Sequence, residues 1–408
     1  MPKEKFITAL DIGASKIRCL IGKRNRNVFD VLGCGVMEHN CLRKGIVVDL
    51  KGLSDAIGKA VYKAENQADK KIHSVYVNAS DPNIEAILSH GEVAISDRDS
   101  EITHYDAEKA LNNAKSINIP YEREIFHITN QGYIVDGEKN ILDPAGMFGF
   151  KLETNAYLVT VKAAFIENLK KAVHQAGIGV AGVVLSSIPT SMALLSKHEL
   201  QIGTVLIDIG ADITEISIYT EGLLRYIKVI PTGGNDITDK ISHKFRLSQQ
   251  VAEKVKLENP ALDEKFSDDD KIILEIESRK RVISKKEFQS LLQDAYKKLF
   301  VKIKEAAYKS QIFRDASNGV VLSGGLPIVE GAAEMAEIEF GCPLRVGHIT
   351  ELGSCPKPLP SHIFTTAVGL IKYGYQELDR KRSLFTKGTK NIVSSIINQA
   401  RSLYREYF

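Results

Sequence analysis

The feature that most constrains this chain is that it repeats itself. Near its start it reads Leu10-Asp11-Ile12-Gly13-Ala14-Ser15-Lys16 and runs on through alternating residues to Ile21. About half the chain later it reads Ile207-Asp208-Ile209-Gly210-Ala211-Asp212-Ile213-Thr214 and runs on to Ile218. Each copy is an apolar strand ending in Asp-Ile-Gly-Ala. Each continues with alternating apolar residues, a polar turn and another strand, Val28 to Val36 or Leu223 to Ile230. Period-two alternation of this kind predicts two β-hairpins.

The turns suggest a chemistry. A glycine there lets the backbone come close to an anion, and the turn N–H groups point at it. An aspartate at the strand end does not suit a bare phosphate, but it suits Mg²⁺ or a water bound to Mg²⁺. One such turn is as well read as a structural Asp-Gly turn. Two in matched contexts predict facing turns that clamp the phosphates of one nucleotide between similar domains. Gly13 and Gly210 are then phosphate contacts. Asp11 and Asp208 are the metal-side carboxylates and the only catalytic candidates.

Three further stretches fit. Val320 to Pro327 reads as a short buried strand ending in Ser323-Gly324-Gly325. Its glycines suit a flat ring, here an adenine floor, although alone it reads as a plain strand-to-helix turn. Gly233-Gly234-Asn235 opens a helix whose first amides are expected to be free for phosphate oxygens. Glu253 and Lys256 either reach the ribose and base or are solvated surface charges. Gly182 to Ser191 and Thr365 to Gly374 are rich in small residues. They read as hinge helices crossing closely where domains join, or as ordinary helix packing.

A chain of 408 residues, 44% of them apolar, is too long for one compact core and predicts two domains or several subdomains. The polar start and the lack of any run near 18 apolar residues predict neither signal peptide nor membrane span, hence a cytosolic chain. Five scattered cysteines, Cys19, Cys34, Cys41, Cys342 and Cys355, lack zinc-site spacing. The net charge of +3 is unevenly placed: residues from Arg380 onward carry +6 and the rest −3. An acidic body argues against a nucleic-acid partner, and a basic tail suits anionic lipid.

The two turns, the two hinges and the Ser-Gly-Gly strand, in this order, are the set found in the actin superfamily. Lys44 to Leu50, Ala64 to Asp69, Ser74 to Val77, Lys228 to Pro231 and Ile237 to Ile241 narrow the resemblance to the FtsA family. That resemblance implies an α/β actin-like fold: two ribonuclease-H-like domains around a cleft for ATP or ADP with Mg²⁺. Domain I would comprise 1–82, 163–181 and 362–378, with an FtsA-specific insert at 83–162. Domain II would comprise 182–230 and 316–361, with an upper subdomain at 231–315. A flexible basic linker at 379–390 and an amphipathic membrane helix at 391–408 would follow. Implied partners are the C-terminal peptide of FtsZ, further copies in a filament, anionic lipids and later division proteins. The implied place is the cytoplasmic face of the inner membrane at the septum. Lys297, Lys298, Lys302 and Lys304 on a helix over Lys286 to Gln311 are either the FtsZ contact or a solvated face.

The chain also departs from the family pattern. Asp212 and Ile213 stand where small residues usually follow the glycine, with only Thr214 retained as the phosphate contact the resemblance implies, and Ala14 lacks a hydroxyl, leaving Ser15 and Lys16 to contact phosphate. Asp212 would either repel a γ-phosphate or act on the metal. With no glutamine or histidine assignable to position water, hydrolysis is expected to be slow.

The tail places Ile392, Val393, Ile396, Ile397, Leu403, Tyr404 and Tyr407 on one helical face, ending in Phe408, with Arg401 and Arg405 opposite. Such a helix either docks on the body or lies in a membrane surface. Its terminal position, polar linker and basic flanks favour the membrane. The rival readings of the whole chain are an actin-superfamily sugar kinase, a PilM-like binding module and a chaperone-type ATPase.

Overall fold

The computed structural model describes residues 6–26, 28–95, 101–259, 262, 267, 269–276, 279–325, 329–356, 363–380 and 382. The chain opens with β1 (Ile7–Ile12), β2 (Lys16–Asn25) and β3 (Val28–Glu38). A small hairpin follows, β4 (Leu42–Arg43) and β5 (Ile46–Val47), then α1 (Leu50–Ala68) and β6 (Ser74–Ala79). Every residue of β1 is buried, as expected of a strand covered on both faces. Asp49 starts α1 as its N-cap, accepting from the Gly52 N–H, and Leu53, Ile57, Ala60, Val61 and Ala64 turn one helical face onto the sheet.

An insert interrupts this domain. It contains β7 (Glu85–Ala94), α2 (His104–Lys115), β8 (Arg123–Val135), β9 (Glu138–Ile141) and β10 (Lys151–Lys162). Its strands form a separate sheet in the order β7-β10-β8-β9. A small core of Val93, Ile102, Ala107, Ala110, Val135 and Leu152 lies between that sheet and α2. The chain then returns through α3 (Ala163–Gln175) and β11 (Gly179–Leu185) to α4 (Ser187–Leu194) and α5 (Lys197–Ile202).

The second half begins with β12 (Thr204–Ile209), β13 (Thr214–Thr220) and β14 (Leu223–Ile230). A mainly helical block follows: α6 (Gly234–Phe245), α7 (Gln249–Glu258), the hairpin β15 (Lys271–Ile276) and β16 (Arg279–Ser284), and α8 (Lys285–Tyr308). The sheet resumes with β17 (Val320–Gly324), α9 (Ala332–Phe340) and β18 (Leu344–Val346). A last helix, α10, covers 365–380.

The repeat in sequence is a repeat in topology. One five-stranded sheet runs β3-β2-β1-β6-β11 and the other β14-β13-β12-β17-β18. In each, the repeated strand pairs antiparallel with the next strand and parallel with a later one. The halves are joined where α4 and α10 cross. A Cβ at Gly369 would overlap the Pro189 carbonyl, so the crossing needs glycine there. The Thr190 and Thr366 hydroxyls meet at 3.0 Å in the same place.

Two expectations change. The stretch from Gly182 to Ser191 is half strand and half helix, because β11 runs to Leu185 before α4 starts. Residues 379 and 380 are not linker: α10 runs through them, and Asp379 takes both Arg24 guanidinium nitrogens at 2.5 and 3.0 Å.

Candidate functional site

Matching registers place matching side chains at the ends of the two central strands. On β1, Asp11 lies opposite Arg18 of β2; on β12, Asp208 lies opposite Glu215 of β13. On its other side Asp208 pairs with Ser323 of β17. Asn78, at the corresponding place on β6, accepts the Ile12 N–H at 2.7 Å. The result is a polar floor built twice, with Arg18 in one copy where Glu215 stands in the other.

This floor is largely buried and acidic. Burial raises the Asp11 carboxyl above its usual range, against the pull of Arg18 at 3.0 Å. Asp208 is pushed up to about 6, first by burial and then by the Asp11 charge. Glu215 is pushed up to about 7, again chiefly by burial, with the Ser80 hydrogen bond opposing and Asp208 adding. The Asp11 charge reaches Asp208, so the ends of the two repeated strands lie near one another. Ser80, just after β6, donates to Glu215 Oε2 at 2.5 Å and ties the two halves together there.

Among the described residues, four buried polar atoms lack partners: Arg18 Nε, Ser187 Oγ, Glu215 Oε1 and Ser323 Oγ. Arg18, Glu215 and Ser323 flank the two aspartates. Two buried carboxylates, Asp11 and Glu215, and the partly buried Asp208, with a single arginine among them, fit a divalent cation, which would balance the excess charge. Among the described residues, the one trio of ligand atoms converging within 4.8 Å is His90, Glu92 and Glu153 on the insert. Lys151 already lies against both of those glutamates, at 2.8 and 2.5 Å. Asp11, Asp208 and Glu215 form no such close cage, so they suit a cation held through its waters.

The remaining candidates fall into three groups. Gly13, Ala14, Ser15 and Gly210 lie in the turns; the Gly13 N–H donates to Lys16 O at 3.0 Å and the Gly210 N–H to Ile213 O at 2.9 Å. His39 Nε2 meets Gly13 O at 2.8 Å, and burial lowers its pKa. Gly324 has φ +96°, and a Cβ there would overlap the Ile209 carbonyl beside Asp208, so the Ser-Gly-Gly strand end packs directly on the second turn. The Gly325 N–H donates to Ile209 O at 3.2 Å.

A second group is close but already engaged. The amides of Gly234 and Asn235 are not free: they donate to Gly210 O at 3.0 Å and Ala211 O at 2.7 Å. The Gly233 N–H is taken by Asp236 Oδ2 at 2.9 Å. A helix start buried against the turn has its donors satisfied there rather than left for a ligand. Thr214 is fully buried, and its hydroxyl donates to Thr232 O at 2.8 Å. Lys256 is buried rather than solvated, donating to Thr238 Oγ1 at 2.7 Å and Gly234 O at 3.1 Å. Glu253 pairs with Lys256 at 2.6 Å and remains partly exposed.

A third group points elsewhere. The Lys16 ammonium turns to Glu38 at 3.2 Å. Lys297, Lys298 and Lys302 are exposed on α8, with Lys298 paired to Asp294 at 2.8 Å. Lys304 differs: it is half-buried against α9, near Glu339 and over the Tyr308 ring. The membrane residues from Ile392 to Phe408 lie outside the described residues.

Glu215 and Arg18 were missed by sequence reasoning. Both were within reach of it, since each sits seven residues after its aspartate, at the same place in the repeat. Aligning the repeat through the second strands would have picked them out.

Twin sheets, facing turns and crossed helices define an actin-like protein. Solved structures agree: the PilM-PilN type IV pilus biogenesis complex matches with TM-score 0.65 at 16% identity, over 91% of this chain and 99% of that one. MreB 5 of Spiroplasma citri bound to AMPPNP matches with TM-score 0.53 at 13% identity, over 95% and 100%. Two family models match, "SHS2 domain inserted in FTSA" over residues 82–160 and "Cell division protein FtsA" over 205–369. The cell division protein FtsA of Borreliella burgdorferi is 31% identical over 399 residues, covering 96% of each chain. That of Pseudomonas aeruginosa is 30% identical over 389 residues, covering 94% of this chain and 93% of the relative. The chain belongs to the FtsA family of cell division proteins.

Proposed function

We propose that this protein binds ATP or ADP with Mg²⁺ in its cleft, polymerises on the cytoplasmic face of the inner membrane and tethers FtsZ there. Later division proteins, leading to septal wall synthesis, would bind the assembly. The observation that supports the cleft reading is the pair of matched Asp-x-Gly turns held near one another by the Ser80–Glu215 and Lys44–Asp212 hydrogen bonds, with the Asp11 charge felt by Asp208. The similar fold of MreB 5 was solved with AMPPNP and with ADP, which supports a nucleotide in such a cleft.

Asp11 and Asp208 would hold the cation through its waters. Mg²⁺ when bound would neutralise phosphate charge during transfer. Glu215 is the residue best suited to take a proton from an attacking water. One oxygen accepts from Ser80, the other has no partner, and its pKa of about 7 is poised for exchange near neutrality.

Membrane attachment rests on the tail's sequence pattern. One helix lying in the interface attaches only transiently, whereas a filament bearing many attaches firmly through effective concentration. Exposed Lys297, Lys298 and Lys302 offer a basic face to the partly acidic FtsZ peptide; Lys304 is committed to α9. The whole-chain relatives support this reading over a sugar kinase or a PilM-like module. The test is liposome co-sedimentation of the full chain and a chain lacking residues 391–408, with and without ATP. The full chain should sediment more strongly with ATP and the truncated chain not at all; truncated chain that still sediments refutes the anchor.

A further inference from the structure

The β4–β5 hairpin is too small to have a core of its own, yet its tip reaches the other domain. Lys44 and Gly45 form its two-residue turn, with φ of 48° and 79°, the left-handed pair such a tight hairpin requires. From that tip the Lys44 N–H donates to Asp212 Oδ2 at 2.7 Å. The Lys44 ammonium meets Asp236 Oδ1, also at 2.7 Å.

Both acceptors belong to the machinery of the second turn. Asp212 is buried, and its other oxygen accepts from Asn235 Nδ2 at 2.7 Å. Asp236 holds the start of α6 through the Gly233 N–H and the Thr232 hydroxyl. The Asp212 carboxylate is thus engaged by neutral donors rather than unpartnered in the turn. Both its oxygens are occupied, one of them by the opposite domain.

We propose that the Lys44 hairpin is a latch: it ties domain I to the second phosphate turn across the cleft and slows the escape of whatever nucleotide lies behind it. This rests on the cleft binding nucleotide, so the test has one arm that needs no nucleotide. The two bonds differ in weight. The Lys44–Asp236 ion pair is more than a third exposed on both sides and is weakened by solvent. The N–H bond to buried Asp212 is charge-assisted and shielded. Lys44→Ala removes only the first, because the alanine keeps its N–H. Asp212→Ala removes the second together with the Asn235 bond, so Asn235→Ala, which removes only the latter, is run beside it, and exchange over 42–49 rising in Asp212→Ala but not in Asn235→Ala is the signature of the latch. The order of effects is therefore set in advance.

In the first arm, fluorescent ATP is chased from the full-length wild type and each variant by stopped flow. Asp212→Ala should release nucleotide about tenfold faster, and Lys44→Ala only a few-fold faster, with the Lys44 effect fading at high salt. In the second arm, hydrogen exchange of nucleotide-free protein is followed over residues 42–49 and 208–215. Asp212→Ala should raise exchange in both segments. Unchanged exchange overturns the latch. Raised exchange with unchanged release overturns its control of the nucleotide. If the wild type binds no nucleotide at all, the cleft reading and the control of release fail together. Raised exchange would then support only the tie between the domains.

Discussion

Replacing Glu215 with glutamine separates the energetic role of this residue from its proposed chemical one. The side chain is almost wholly buried, and its carboxyl pKa stands near 7 against an ordinary 4.5. The folded state therefore holds a proton that the unfolded chain gives up. That difference stabilises the wild type fully below pH 4.5 and is lost as pH rises through about 7. Between pH 5 and pH 8 the loss works out at about 2.5 kcal/mol. Glutamine keeps an oxygen for the Ser80 hydroxyl, and its amide can donate to the unpartnered Ser187 hydroxyl. Urea unfolding of Glu215→Gln should thus match the wild type near pH 5 and exceed it at pH 8 by about 2 kcal/mol. Hydrolysis by the same variant should fall by about a hundredfold while ATP binding persists. A variant less stable than wild type at pH 8 would refute the burial argument. Unchanged hydrolysis would remove Glu215 from the chemistry.

Arg18→Met should destabilise the fold by about 3–5 kcal/mol in urea unfolding, because it leaves the buried Asp11 carboxylate without its cation. Gly369→Ala drives a methyl into the Pro189 carbonyl at the helix crossing and should cost about 3 kcal/mol in the same assay. Lys298→Glu with Lys302→Glu should weaken binding of an FtsZ C-terminal peptide about tenfold in fluorescence anisotropy, with less effect at high salt. Lys304→Ala should lower stability and leave peptide affinity unchanged, since its ammonium is engaged by α9.

Much of the fold was legible because the determining residues repeat. The two Asp-Ile-Gly-Ala strands, their hairpins and the Ser-Gly-Gly strand all appear as read, and the actin-like class followed from their order. What stayed hidden was pairing at a distance. Nothing local says that the Asn235 amide will be taken by Ala211, or that Thr214 will bond Thr232 rather than be left for a ligand. Lys16 looks suited to a phosphate by its place in the turn, yet strand register sets it beside Glu38. Asp212 looked like a disruption until Lys44, far away in sequence, supplied its partner. The boundary at 379 was misjudged for a similar reason: a basic, linker-like composition continues a helix that Arg24 anchors through Asp379.

In the proposed function Asp11 and Asp208, one from each half, would share a metal-bound nucleotide. Calorimetric titration of Mg²⁺-ATP into the full chain, and into Asp11→Asn and Asp208→Asn variants, tests it most directly. One site per chain should appear, weakened at least about tenfold by either substitution and by removing Mg²⁺ with chelator. No heat of binding, or binding indifferent to the metal and to both aspartates, would contradict the account.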